Sequence, residues 1–156
     1  MTSPALLAAF LATTYRVTTP SGVFNLRIGV SDPAFDQALR IGLSDTLPVR
    51  SDEPQAIEWA IITACNPGKQ LDDQENAVRQ RRLAVSIADN GWQHWPAANI
   101  ADDGQWPVEA SFLLLQVDPL RVRALARQFG QLAVVLGRQG LAPRLSWLEG
   151  EEGNEG

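Results

Sequence analysis

The chain has a single cysteine, Cys65, and a single histidine, His94. These counts exclude an intramolecular disulfide and a zinc site of the usual Cys/His spacing, so no metal or cofactor is expected. A chain without cross-links fits a reducing compartment, and the cytoplasm is the expected location. Positive charge is also scarce, with 13 Lys+Arg against 18 Asp+Glu for a formal net charge of -5. Glu149, Glu151, Glu152 and Glu155 supply four of those acids, leaving thirteen basic against fourteen acidic residues in the body. A body so near neutrality lacks the basic excess that phosphate-backbone binding needs, so nucleic acid is not an expected partner. Long apolar runs are missing as well. The opening stretch Pro4 to Thr14 has no positively charged flank and is too short to cross a bilayer, so no membrane association is expected. Its Leu6, Leu7, Phe10 and Leu11 recur at helical spacing behind Ser3 and Pro4, which predicts a buried helix.

What is present is enough apolar material for one self-sufficient core. At 156 residues and 45% hydrophobic composition, a fold removes about 70% of its unfolded surface from water and needs no staples. Residues 1–148 are expected to form a single globular domain. Residues 149–156, rich in Gly and Glu with no apolar residue after Leu148, are expected to be a disordered acidic tail.

The pattern along the body alternates between strand and helix signals. Tyr15 to Thr18 and Val23 to Ile28 read as a hairpin around Pro20-Ser21-Gly22. Pro33 to Leu43 reads as an amphipathic helix after Asp32, and Ser51 to Pro54 as a polar link. Ile57 to Ala64 is nearly continuous in apolar residues, the mark of a central strand covered on both faces. The loop Cys65 to Gln70 leads into a helix from Asp72 to Asp89, with Asp72 and Glu75 spaced as a capping box and Asn90-Gly91 as the stop. Strands follow at Trp92 to Pro96 and Ser111 to Val117. Then come a helix from Asp118-Pro119 to Phe129 and strands at Leu132 to Leu136 and Arg144 to Leu148. The sum is an α+β or α/β domain, a mixed β-sheet with helices packed against it.

Four stretches together resemble a bacterial domain family of unknown function: Thr63-Ala64-Cys65-Asn66-Pro67-Gly68; Glu75-Asn76 with Arg79 and Leu83; Trp106-Pro107 with Glu109 and Ser111-Phe112-Leu113; and Arg127-Gln128-Phe129-Gly130-Gln131. The resemblance runs from about Tyr15 to Trp147 and implies no activity, because the family carries none that is established. This sequence departs from the pattern at Cys65, where an aromatic is expected, and at Leu132, where an Asn is expected. The first departure argues against Cys65 as a nucleophile common to the family.

The candidate site residues are Asn66, Gly68, Lys69, Asn76, Arg79, Glu109, Ser111 and Gln131. At 100° per residue, Asn76, Gln80, Leu83 and Ile87 share one helix sector with Arg79 at its edge, so polar groups sit on the inward stripe beside the end of the central strand. Ligands of α/β folds bind there, and Asn66 with the amides of the Gly68-Lys69 turn would face Asn76 and Arg79 across a small space. In the structural alternative, Asn66 closes the turn and Asn76 holds loop backbone. Lys69, Arg79 and the helix amides favour an anion, but Asp72 and Asp73 oppose one and no phosphate-loop pattern is present. Asn-Pro-Gly after a strand is also similar to the active-site loop of mismatch uracil-DNA glycosylases, a role that the charge balance does not support. Glu109 and Ser111 share a strand face, where a carboxylate beside a hydroxyl binds a polar ligand, acts as a general base, or ties the strand entry together. Gln131 follows Gly130, the expected left-handed stop of a helix. Cys65 would be activated only by an approach of Lys69. Trp95 and Trp106 are candidates to edge a groove.

These residues point first to a domain that binds a small polar ligand or a protein partner through the Asn66-Pro67-Gly68 loop and the adjacent helix. The alternative is a small hydrolase or nucleotide-modifying enzyme with Glu109 as base and Asn66 and Arg79 as electrostatic groups. It requires Glu109 within hydrogen-bond reach of a pocket that contains Asn66. A purely structural partner-binding domain would instead show a large exposed apolar patch and no convergent polar pocket.

Overall fold

The computed structural model describes residues 4–43 and 56–148. The polar link Ser51 to Pro54, the Ser3 cap and the acidic tail lie outside them. In chain order the elements are α1 (Pro4–Leu11), β1 (Thr13–Thr19), β2 (Gly22–Leu26), α2 (Pro33–Gly42), β3 (Glu58–Ile62), α3 (Asp73–Asp89), β4 (Gln93–Ala101), β5 (Glu109–Leu115), α4 (Pro119–Gln128), β6 (Ala133–Arg138) and β7 (Arg144–Trp147). Helix starts are set by side-chain caps. Asp32 accepts from the Phe35 amide at 3.0 Å, Asp72 and Glu75 form the reciprocal capping box, and Asp118 accepts from the Leu120 amide at 2.9 Å. Each satisfies a donor that the first helical turn leaves without an internal partner.

The strands form one sheet in the order β2-β1-β4-β5-β3-β6-β7. Every pairing is antiparallel, so the class is α+β and the sheet is not mixed. The strand, loop and helix of β3 and α3 nevertheless belong to a crossover. Here β3 and β4 run the same way with β5 between them, and β5 and β6 run the same way with β3 between them. The segment β3-α3-β4-β5-α4-β6 is therefore the split βαβ arrangement of ferredoxin-like cores. The hairpin β1-β2 extends one edge and β7 the other.

Two apolar layers follow from the pleat of β3. Ala60, Ile62 and Ala64 face α3 and α4, packing with Leu83, Ile87, Val122, Leu125 and Ala126. Trp59 and Ile61 face the opposite way, with Tyr15, Val17, Leu113, Leu115 and the α2 residues Phe35 and Leu39. This double coverage is why the strand reads as an unbroken apolar run. The register matters most at one row: Tyr15 pairs with Asn99 across β1 and β4, and Asn99 pairs with Glu109 across β4 and β5. These three residues stand side by side on the α2 face of the sheet.

The first helix differs from expectation. α1 forms, but it has no buried residue, and Leu6, Leu7 and Leu11 are 38, 39 and 46% exposed. Its apolar positions run nearly all round, so no polar face selects an inward one. It touches the body through Phe10, edge-on to Trp147 at 5.4 Å between ring centroids.

Close packing in the α2-side layer makes one glycine indispensable. A Cβ on Gly137 would lie 2.0 Å from the ring of Trp59, which is itself buried and edge-on to Phe35 at 5.4 Å. Gly137→Ala is expected to lose about 2–3 kcal/mol of stability by overpacking. Urea unfolding checks this, and an unchanged midpoint would show that Trp59 is free to move.

Candidate functional site

The site begins where β3 leaves the ladder. Pairing stops at Ile62, yet Thr63, Ala64 and Cys65 stay buried. Their backbone groups therefore need partners from elsewhere. The Ala64 amide donates to Gln80 Oε1 at 3.0 Å, and its carbonyl accepts from Arg79 Nε at 2.6 Å. The Cys65 amide donates to Thr63 Oγ1 at 3.1 Å, and its carbonyl accepts from Gln131 Nε2 at 3.0 Å. The Asn66 amide donates to Asn76 Oδ1 at 2.9 Å. Side chains thus continue the work of the ladder for three residues.

Asn66 then turns the chain in the left-handed region, at φ 49. Its Oδ1 accepts from the Leu71 amide at 2.8 Å and from Asn76 Nδ2 at 2.9 Å. Its Nδ2 donates to Glu109 Oε2 at 2.6 Å, and Trp106 Nε1 donates to the same oxygen at 3.0 Å. Gly130, in the left-handed region at φ +71, passes so close to the loop that an added Cβ would sit 3.0 Å from Pro67 Cβ. Arg79 also donates to the Phe129 carbonyl, with its guanidinium 5.8 Å from the centre of the Phe129 ring.

Direct hydrogen bonds between Asn66 and Asn76 narrow the small space expected between the loop and α3 without filling it. A larger open cleft of about 410 Å³ lies on the other face of the sheet, under α1. Asn66, Gly68, Lys69, Glu109 and Gln131 border it, together with Tyr15, Asn99 and Trp106. Its remaining wall is mostly apolar, with Phe10 from α1 and Ile61 and Val135 from the sheet. A smaller depression of about 220 Å³ remains on the α3 side, bordered by Asn66, Asn76, Gln80 and Glu109. Arg79 lines neither. Ser111 shares the face of Glu109 but is buried, and its Oγ contacts Asn99 Oδ1 at 2.8 Å. Of the two tryptophans considered for a groove, Trp106 edges the cleft, whereas Trp95 is buried in the core.

The geometry can be set beside known proteins. Residues 62–134 match the family model of DUF3293, a protein of unknown function. No curated protein and no solved structure matches the chain. All four sequence stretches that carry the resemblance fall within the DUF3293 match, although the resemblance was read over a longer span. The matched segment supplies the loop, α3, β4, β5 and α4, hence Asn66, Asn99, Glu109 and Gln131. Tyr15 and α1 come from outside the DUF3293 segment and complete the cleft. No single stretch of sequence signals their part in it, because Tyr15 reaches Glu109 only through the pairing of β1 with β4 and of β4 with β5.

Electrostatics assign different states to the groups at the cleft. Burial, with a smaller push from the charge of Glu109, raises the Tyr15 hydroxyl well above the ordinary tyrosine range, against an opposing hydrogen bond from Thr13. Tyr15 is a neutral phenol at any physiological pH. Burial likewise raises the Cys65 thiol, with Glu109 adding to the effect and Thr63 opposing it. Cys65 is thus held as an unreactive thiol rather than activated by Lys69. Among the described residues, no group of three His, Cys, Asp or Glu side chains stands together to hold a metal ion, and no helix is long and apolar enough to cross a membrane.

The contact between Asn66 and Glu109 yields a test with a definite sign. Asn66→Asp retains an acceptor for Leu71 and Asn76 but places a second carboxylate against Glu109. That pair binds a proton more tightly folded than unfolded, so its stability is fully present at low pH and lost as pH rises. The variant is expected to be about 2 kcal/mol less stable than wild type at pH 7, with the deficit shrinking as pH falls below roughly 5. Urea denaturation at several pH values measures this. A deficit independent of pH would mean that the two side chains are not in contact.

Proposed function

We propose that this domain binds a small molecule in the cleft between α1 and the sheet, with Glu109 as the polar anchor. One observation carries the proposal: Asn66 and Trp106 both donate to Oε2 of Glu109, while among the described residues no protein group donates to Oε1. A carboxylate oriented by two N–H groups at the rim of a mostly apolar cavity is the usual composition of a small-molecule site, and about 410 Å³ falls within the common size range. The loop, α3 and Gln131 act as the frame that holds Asn66, and through it Glu109, in place.

This alters the expected ligand. The apolar wall favours a molecule with an apolar body and one polar end over a wholly polar one. A protein partner docking on the loop and α3 gains no support there, because the loop groups and α3 bond to one another. The hydrolytic alternative has the required closeness of Glu109 to Asn66, but it also needs Arg79 as an electrostatic group. Arg79 lies on the far side of the loop, bound to the Ala64 and Phe129 carbonyls.

A fragment screen read by ¹⁵N-resolved amide shifts tests the binding site. Hits are expected to move the amides of Asn66, Gly68 and Lys69 together with those of β5 and α1. Ala9→Trp, which fills the cleft from α1, is expected to abolish these shifts while the protein keeps its unliganded spectrum elsewhere. Hits that map to another surface, or that survive Ala9→Trp, would refute the proposal.

A further inference from the structure

The geometry points to a small organic ammonium ion as the ligand of this cleft: a protonated amine joined to an apolar body. The inference rests on the binding site proposed above and names the class of molecule that the site takes. Oε2 of Glu109 is occupied by Asn66 and Trp106, and Oε1 is the acceptor left for a ligand. A charged N–H donor adds ion-pair attraction to the charge-assisted hydrogen bond that such an oxygen makes with any donor.

The surroundings disfavour the other charge. An anion would need N–H donors, and three that the loop and its neighbours could offer are engaged. Asn66 Nδ2 donates to Glu109, Gln131 Nε2 to the Cys65 carbonyl and the Asn66 amide to Asn76. Among the side chains that line the cleft, Glu109 and Asp103 are acidic against one base, Lys69, which is exposed at the rim. Three aromatic side chains, Phe10, Tyr15 and Trp106, stand at the wall, where ring faces attract a cation and repel an anion. Ile61 and Val135 line the apolar part, where a hydrocarbon body gains by leaving water.

The test uses matched probes that differ only at the polar end: phenethylamine, 2-phenylethanol and 3-phenylpropanoate, with their cyclohexyl counterparts, titrated at pH 7 and followed by amide shifts. In each set the amine is expected to bind at least about tenfold more tightly than the alcohol, as the added ion-pair attraction implies. The carboxylate should bind weakest. Glu109→Gln retains an oxygen for Asn66 and Trp106, and it should bring the amine-to-alcohol ratio close to one, because the amine loses its ion pair as well as its hydrogen bond. The ratio in wild type stands as a test even if that variant folds poorly. Alcohols or carboxylates that bind as tightly as amines, at a site blocked by Ala9→Trp, would overturn the ammonium class and leave the cleft standing. Failure of every probe to bind, or binding unaffected by Ala9→Trp, would overturn both.

Discussion

The structure turns on a short piece of backbone that has left the sheet without leaving the interior. From Ala64 to Asn66 the chain no longer pairs with β5 or β6, and unpaired peptide groups in such a place would each cost on the order of 1–3 kcal/mol. Gln80, Arg79, Thr63, Gln131 and Asn76 meet that demand. Their positions explain otherwise unrelated features of the chain. α3 carries amides and a guanidinium on its inward stripe because its first turns cover the end of β3. Gly130, the left-handed stop of α4, also lets the loop pass close against it at Pro67.

The cleft is a by-product of the same arrangement. With its backbone fixed, Asn66 has one amide nitrogen left to project over the edge of the sheet to Glu109. The register places Glu109 in a row with Asn99 and Tyr15. The donors from Asn66 and Trp106 orient its carboxylate there. α1 then roofs the space loosely. A helix of this length with an apolar surface and no buried residue gains little from its contacts, and it is an element that a ligand can press against or displace.

Much of the fold was legible from periodicity and caps. The capping box at Asp72 and Glu75, the proline starts of α2 and α4, the stop at Gly130 and the apolar run of β3 are local signals, set by backbone chemistry within a few residues. The location of the cleft was not legible in this way. Asn76 and Arg79 were correctly read as facing the end of β3, but whether they enclose a space or close it depends on side-chain reach across a gap that no spacing rule measures. Ser111 was correctly set on the face of Glu109, yet its contact with Asn99 requires β4 beside β5. The burial of α1 was misread because apolar periodicity shows that a helix can be buried without showing that a neighbour exists to bury it.

By itself, the sequence determined α2, α3 and α4 with their ends, the places of the strands though not the full length of β4, the exclusion of an intramolecular disulfide, and a resemblance that the DUF3293 match bears out over residues 62–134. Each of these depends on interactions between residues close along the chain, or on composition alone. Tertiary structure alone decided that the sheet is antiparallel throughout, that Tyr15, Asn99 and Glu109 form one row, and that the larger open space lies under α1. Those outcomes depend on which strands become neighbours, and strand order is chosen by the packing of both faces of the sheet at once rather than by any one segment.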